Sequence, residues 1–381
     1  RQPSMIRKII SYGFASSAAR GLNWLLMALL PVFLTTHEYG IVSLIVSVQG
    51  LLLGVVLFGQ DRAVLRFYSH AQEKGAFLYT LLVFWGGVAA VVVSVSALAV
   101  LLWPGDTVLG IPKTPHLIIL VGAIVGMGVF QIVVSVTRVE EETGRYVLYE
   151  CGMAVLKLLA VLGFAIWIGS SVAYVYGLAS AIALMLALQV PSLIKRVRGV
   201  LQSQNYRRLW RFGWPLVFHA TSGVLLAYVD RFMLEYFRDT SEVGVYSLAY
   251  AFGAGTSFVY AALATFFEPY IYKQAGNQRE SEKWLAVYTL ACFGIIAVVG
   301  IGVILALPTV VGNVYSAEYA PMVRITPIII AGYLVMGIYR QANYRLTVYE
   351  HTRAIAVGSA LGLITNFALN LYLIPREGAF G

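Results

Sequence analysis

The chain alternates between long apolar runs and short polar intervals, and none of these intervals could hold a soluble domain. Eleven runs are close to or above the ~20 mostly apolar residues of a membrane-spanning helix. They are continuous rather than alternating, unlike the strands of a membrane barrel. The pattern therefore predicts an all-α polytopic membrane protein. The predicted spans are 10–34, 41–60, 76–103, 116–137, 146–168, 171–193, 212–237, 243–267, 285–308, 322–344 and 352–374.

Composition supports this prediction and narrows the chemistry. The 381 residues are 59% hydrophobic and 12% charged, whereas a soluble domain is about 45–50% apolar and about 25% charged. The sequence contains no Walker, HExxH or GxSxG motif. We therefore expect a protein that is not an enzyme, has no cofactor and binds no nucleic acid. Coupling of its activity to H⁺ or Na⁺ stays open.

The positions of Lys and Arg predict the orientation in the membrane. If the N-terminus is cytoplasmic, 20 of the 27 cationic residues fall on cytoplasmic faces, Arg340 and Arg345 among them. The opposite faces hold four, namely Lys113, Arg238, Arg324 and Arg376. Because short cytoplasmic loops are enriched in Lys and Arg, this bias predicts a cytoplasmic N-terminus.

Two polar turns indicate an internal repeat. The turn TTHEYG at 35–40 precedes the second span, and TSEVG at 240–244 precedes the eighth. Six spans separate the copies, which is typical of transporters built from two parallel halves. We predict an N-terminal lobe over 1–200 with spans 1–6, and a C-terminal lobe over 201–381 with spans 7–11. Six spans per lobe would require at least one span beyond the eleventh. The alternative to a repeat is that all helix starts with an aromatic residue, a glycine and apolar residues look alike.

Charged residues interrupt three of the predicted spans. Arg20, Lys157 and the pair Asp230–Arg231 lie inside apolar runs, where a charge is costly and marks a cavity or a partner. Glu150 lies on roughly the same helix face as Lys157 and is a candidate partner. Asp230 and Arg231 point about 100° apart on a helix, so we do not expect them to pair with each other. For each charge, a structural bridge between helices remains the alternative.

Three buried cations against few buried acids predict the charge of the ligand. Arginine binds phosphate oxygens in a bidentate manner, so such a cavity favours an anionic head group, phosphate above all. An exporter of cationic drugs would instead favour buried acids. We therefore take Arg20, Lys157, Asp230 and Arg231 as the candidate substrate-binding residues.

Four segments resemble the Wzx-type polysaccharide flippases of the MOP superfamily: LTTHEYGIVSL at 34–44, VDRFML at 229–234, EVGVYSL at 242–248 and NFALNLYLIP at 366–375. The resemblance implies a MATE-like bundle of twelve or fourteen helices in two lobes around a central cavity. It implies that an undecaprenyl-pyrophosphate-linked oligosaccharide crosses the bacterial cytoplasmic membrane by alternating access. Arg20, Lys157 and the Asp230–Arg231 pair would then contact the substrate.

The same resemblance implies partners and leaves other functions open. Besides the lipid-linked glycan and membrane lipids, the implied partners are a polysaccharide polymerase and chain-length machinery. A lipid II flippase and a multidrug or cation exporter share this fold and remain alternatives. A membrane enzyme that joins glycans is a third, although such enzymes usually carry a sizeable outer loop that this sequence lacks.

Overall fold

A computed structural model of the chain, which describes residues 5–258, 260, 263–264, 267, 278–348 and 352–381, is almost entirely helical. Its one small sheet pairs Thr107–Val108 with Ile111–Pro112 in antiparallel register. The predicted all-α class is therefore confirmed. The helices are α1 (Met5–Leu29), α2 (Thr36–Leu57), α3 (Gln60–Phe67), α4 (Lys74–Leu102), α5 (Ile118–Val139), α6 (Thr143–Ile168), α7 (Val172–Arg196), α8 (Ser203–Phe237), α9 (Thr240–Gly255), α10 (Gln278–Val314), α11 (Met322–Val348) and α12 (Thr352–Glu377).

Nine helical segments in the described part of the chain are long and apolar enough to cross a membrane, and each matches a predicted span. The two other predicted spans, 10–34 and 243–267, overlap α1 and α9. The predicted end of the first span was wrong, because α1 stops at Leu29 and a short 3-10 turn, Leu30–Val32, follows. Pro31 explains the difference, since it cannot donate a backbone hydrogen bond to a continuing helix. The end of the eighth predicted span lies outside the continuously described residues.

The chain forms two compact units. The first contains the chain up to Leu34 and Ile41–Phe232, and the second contains Thr35–Gly40 and Met233–Gly381. Helices α2 and α8 therefore each contribute to both units. The proposed lobe boundary at residue 200 came from counting spans, and it stays a prediction.

In the first unit, α6 packs against α1 and α7, and α7 also packs against α5. Glycine permits the closest of these approaches. A Cβ atom at Gly177 on α7 would lie 2.5 Å from the Cα of Val161 on α6. Small residues let membrane helices approach closely, and this contact fixes α6, which carries Lys157, against its neighbour.

An ion cluster joins the ends of α5, α6 and α7 in the first unit. Arg196 at the end of α7 pairs through Nη1 with Glu140 (2.6 Å) and through Nη2 with Glu142 (2.7 Å). Tyr68 donates a hydrogen bond to Glu140 at 2.6 Å. Burial and this bond to Glu140 raise the pKa of the Tyr68 hydroxyl, so Tyr68 stays a donor.

The cluster makes stability depend on pH through Glu142. Burial alone would raise its pKa, but hydrogen bonds and charge from Arg196, with those from Arg145, hold the pKa of this carboxyl below its usual value. A lowered pKa stabilises the fold above the unfolded value of about 4.3, and the effect is lost as the pH falls through the folded value. We expect Glu142→Gln to lower thermal stability at pH 7 by at most about 1 kcal/mol, because the ion pairs of Glu142 are only partly buried.

This difference between wild type and Glu142→Gln should shrink as the pH falls below about 4, measured as melting temperature across a pH series. Exposed Glu73 is the matched control, and Glu73→Gln should change little at any pH. A difference for Glu142→Gln that stays constant down to about pH 3 would contradict the assignment.

In the second unit, α11 packs against α9 and α10. A buried cluster of Tyr260, Ala264, Phe267, Leu285, Tyr288, Cys292 and Ile296 forms one apolar core there. Leu334 and Tyr344 of α11 pack against this cluster. The core therefore supports α11 at Leu334 and Tyr344.

The two repeated turns also meet in the second unit. Each turn caps its helix: Thr35 Oγ1 accepts from Glu38 N at 3.3 Å, and Asp239 Oδ1 accepts from Glu242 N at 2.9 Å. Just beyond the caps, a Cβ atom at Gly40 would lie 1.9 Å from the carbonyl oxygen of Thr240. The sequence repeat thus corresponds to a direct contact between the starts of α2 and α9.

That contact is reciprocal. A Cβ atom at Gly244 would lie 2.0 Å from the carbonyl oxygen of Thr36, the residue that corresponds to Thr240 in the other copy. Each helix therefore offers a glycine to the backbone of its partner, and neither position has room for a larger residue.

Candidate functional site

Two of the predicted site residues lie where α1 packs against α6, and we call this region the α1–α6 seam. Lys157 on α6 donates a hydrogen bond to Asn23 Oδ1 on α1 at 3.1 Å. The Lys157 ammonium also lies over the ring of Tyr174, 5.2 Å from its centroid. Asn23 follows Arg20 by three residues on α1, so both point to one side of the helix.

Arg20 is exposed in the first unit. Within the described part of the chain its hydrogen-bond partner is Ser17 on its own helix, at 3.4 Å, and no carboxylate lies within ion-pairing distance. Half-buried Glu150 on α6 lies within electrostatic range of both Arg20 and Arg138. The seam therefore presents an available cation with a carboxylate nearby but not bound to it.

The predicted pairing of Lys157 with Glu150 is not observed among the described residues. Lys157 bonds the neutral amide of Asn23, which leaves its positive charge uncancelled. Tyr174, under the ammonium, donates its own hydroxyl to Gln49 on α2 at 3.0 Å. The position of Lys157 is thus set by polar and aromatic groups rather than by an acid.

Arg231 on α8 has a different environment. Its side chain is 5% exposed, and Nε donates to Ser43 Oγ on α2 at 3.1 Å. Nη1 donates to the carbonyl of Ala227 at 3.0 Å, and the guanidinium lies 4.9 Å from the ring centroid of Tyr228. Arg231 is therefore held by α8 itself and by α2.

The expectation that Asp230 and Arg231 do not pair with each other was wrong. Arg231 Nη1 lies 3.2 Å from Asp230 Oδ1, which also accepts the backbone N–H of Arg231 at 2.8 Å. The argument from helix angles ignored that the long arginine side chain folds back along α8. With its donors engaged, Arg231 fits the structural alternative, a bridge from α8 to α2, better than substrate contact.

Sequence reasoning missed a polar face on α11. Arg340 was counted with the cytoplasmic cations, and in the structure it lies within α11, which continues to Val348. It lines a cavity of about 320 Å³ in the second unit. The other lining residues are Met336, Tyr339, Asn343, Tyr344 and Thr347. The signal that could have revealed this face was polar residues recurring every three or four positions within a span.

No group of three or more His, Cys, Asp or Glu side chains within the described residues could hold a metal ion. The chemistry that the two sites offer is instead electrostatic and hydrogen-bonding. Arg20 and Lys157 at the α1–α6 seam, and Arg340 on α11, present positive charge beside neutral polar groups. Such groups bind anions and sugar hydroxyls.

Comparison with known proteins identifies the family. The profile of the family described as polysaccharide biosynthesis protein matches residues 5–274. The chain belongs to this family. A comparison with curated proteins gives no match.

Solved structures confirm the fold. The lipid II flippase MurJ in an inward closed conformation is similar with a TM-score of 0.76 and 14% identity, over 97% of this chain and 83% of that chain. The MATE multidrug transporter DinF-BH has a TM-score of 0.50 and 14% identity, over 99% of this chain and 97% of that chain. Together with the nine apolar helices of the described residues, these likenesses confirm a multi-pass membrane protein with the predicted MATE-like helical fold.

Proposed function

We propose that the protein moves an undecaprenyl-pyrophosphate-linked oligosaccharide from the inner to the outer leaflet of the bacterial cytoplasmic membrane by alternating access. Membership of a polysaccharide biosynthesis family supports a glycan as cargo, and the flippase-like fold supports transport. A polysaccharide polymerase and chain-length machinery would act on the delivered glycan. Coupling to H⁺ or Na⁺ belongs to the same proposal.

The observation that carries the proposal is the exposed Arg20 in an apolar helix, beside the uncancelled charge of Lys157. A cation in a span is costly unless an anion or water compensates it. Pyrophosphate would supply that anion, and a guanidinium can bind two of its oxygens at once. Asn23, which follows Arg20 by three residues on α1 and accepts a hydrogen bond from Lys157, would fix the position of Lys157 while the head group binds.

The test uses surface-polysaccharide complementation in a deletion strain, with membrane protein levels matched. Arg20→Ala should reduce surface polysaccharide by at least about tenfold, because one charge-assisted hydrogen bond contributes about 1.5–3 kcal/mol. Arg20→Lys should retain part of the activity, since it keeps the charge but loses the bidentate geometry. Lys195→Ala, at an exposed position near the end of α7, is the control and should complement fully.

Full complementation by both Arg20 variants would contradict the proposed role. Changed drug susceptibility in the deletion strain, with normal surface polysaccharide, would indicate an exporter of the same fold. Loss of peptidoglycan precursor transport instead of polysaccharide would indicate lipid II as the cargo. Formation of glycosidic bonds by the purified protein would indicate an enzyme.

A further inference from the structure

The polar face of α11 is a second candidate site, separate from the α1–α6 seam. We call it the Arg340 face, and it consists of Met336, Tyr339, Arg340, Asn343, Tyr344 and Thr347. These residues are three or four positions apart, so they form one continuous side of the helix. They line the cavity of about 320 Å³ in the second unit. A polar side on a membrane span must contact protein or line a hydrated cavity.

Buried aromatic residues of the second unit pack beneath Arg340. Its guanidinium lies 5.1 Å from the ring centroid of Tyr260, which is fully buried in the apolar core of the second unit. Tyr344 packs edge-on against buried Tyr288, with 5.4 Å between ring centroids. Aromatic support of this kind holds an arginine in place without neutralising it. Arg340 is thus positioned before any ligand arrives.

The charge on Arg340 is not cancelled. Over residues 5–258, 278–348 and the other described positions, Arg340 forms no ion pair, whereas nearby Arg345 on the same helix pairs with Glu282 of α10. The two arginines therefore differ in role although they are close together on one helix. The charge of Arg345 is paired with Glu282 within the protein, whereas the charge of Arg340 is available to an external anion.

The remaining groups of the Arg340 face suit a sugar. Asn343 can both donate and accept, and the hydroxyls of Tyr339 and Thr347 add two further polar contacts. Tyr339 already lies 3.4 Å from Ser359 Oγ on α12, which orients its ring. An ion alone would not require amide, hydroxyl and aromatic groups arranged around one cation.

We propose that the Arg340 face binds the sugar-phosphate head group of a lipid, with Arg340 on the phosphate and Asn343 and the hydroxyls on the first sugar. This inference rests on the proposed function and adds a second head-group site to it. The same phosphate chemistry could come from the lipid-linked glycan or from a bilayer phospholipid. The geometry points to the former, because a phospholipid such as phosphatidylglycerol offers no sugar ring.

The test measures binding by native mass spectrometry of the purified full chain with two probes, namely undecaprenyl pyrophosphate that carries its first sugar, and phosphatidylglycerol. Arg340→Ala should weaken undecaprenyl pyrophosphate binding by about tenfold, the loss of one charge-assisted contact. Arg340→Gln removes the charge but keeps a polar side chain of intermediate length, and it should lose as much. Arg345→Ala, which removes the paired arginine, should stay within about twofold of wild type, because Arg345 is already paired with Glu282 and the pair is partly exposed.

Unchanged undecaprenyl pyrophosphate binding in both Arg340 variants would overturn the inference. Equal losses for phosphatidylglycerol would also overturn it, because the site would then be one for ordinary lipid. Should Arg340→Ala fail to reach the membrane, Arg340→Gln decides.

Complementation separates this inference from the proposed function. In the deletion strain, Arg340→Gln should reduce surface polysaccharide while Arg345→Ala restores it. Normal surface polysaccharide in the deletion strain would contradict the proposed function. A loss of binding that is specific to the Arg340 variants would still support the head-group site in that case. If the deletion strain lacks surface polysaccharide and Arg340→Gln restores it fully, the head-group site is contradicted and the proposed function is not.

Discussion

Arg231→Ala is expected to destabilise the protein by about 3–5 kcal/mol, with membrane levels falling before any change in transport can be assigned. Arg231 is 5% exposed and joins α8 to Ser43 of α2. Its removal leaves the half-buried Asp230 carboxylate without its cationic partner and the Ser43 hydroxyl without this donor. Losing one member of a buried pair costs far more than the net stabilisation by the pair, because the other charge stays desolvated.

A charge-neutral double variant tests this reasoning. Asp230→Asn combined with Arg231→Gln removes both charges, so it should recover most of the melting temperature lost in Arg231→Ala. Arg207→Ala, at an exposed position of the same helix, should melt like wild type. A substrate-contact role predicts the reverse pattern, with normal melting of Arg231→Ala and no transport by the double variant. Measuring melting temperature and surface polysaccharide together distinguishes the two roles.

The cations inside the spans therefore fall into two groups. Arg231 is buried and bonded to protein, whereas Arg20 is exposed and Lys157 and Arg340 lack a carboxylate partner among the described residues. Both groups look the same in sequence, since each places one charge in an apolar run. What separates them is the packing around the charged group, which depends on residues distant in sequence such as Ser43, Asn23 and Tyr260.

Hydropathy was sufficient to place nine of the eleven predicted spans among the described residues, because the need for about 20 apolar residues is a local property of the sequence. The missing backbone N–H of Pro31 explains why the first predicted span was too long. The ion pair between Asp230 and Arg231 was harder to predict. The Cβ atoms of neighbouring helix positions point in different directions, but the long arginine side chain can bend back so that its guanidinium contacts the neighbouring carboxylate.

The polar face around Arg340 was missed for a different reason. The charge bias accounts for Arg340 as a cytoplasmic cation, although Arg340 lies inside the predicted span 322–344. Its neighbours at 339, 343, 344 and 347 repeat with the helical period, which would have indicated one polar face on α11. The absence of an ion pair at Arg340 in the described part of the chain could not be read from sequence, since Glu282, which pairs with Arg345, is distant along the chain.

Substituting Gly40 or Gly244 by alanine is expected to force α2 and α9 apart and to destabilise the second unit. The new Cβ would lie 1.9 Å from the Thr240 carbonyl oxygen in the first case and 2.0 Å from that of Thr36 in the second. Backbone cannot move aside as the end of a side chain can, so each cost should reach or exceed the about 1–3 kcal/mol of ordinary overpacking. Gly54→Ala on α2 is the control, because its Cβ would meet Ala220 at an ordinary 3.6 Å.

The two glycines should also behave as one contact. Once Gly40→Ala has separated the helices, Gly244→Ala meets a wider gap, so the double variant should lose less melting temperature than the two single losses together. Strictly additive losses of melting temperature would show that the two glycine contacts are independent. Wild-type stability in both single variants would refute the close approach of α2 and α9. Non-additivity would explain why both copies of the turn carry glycine at the same place, since a larger residue in either copy would disrupt the contact for both.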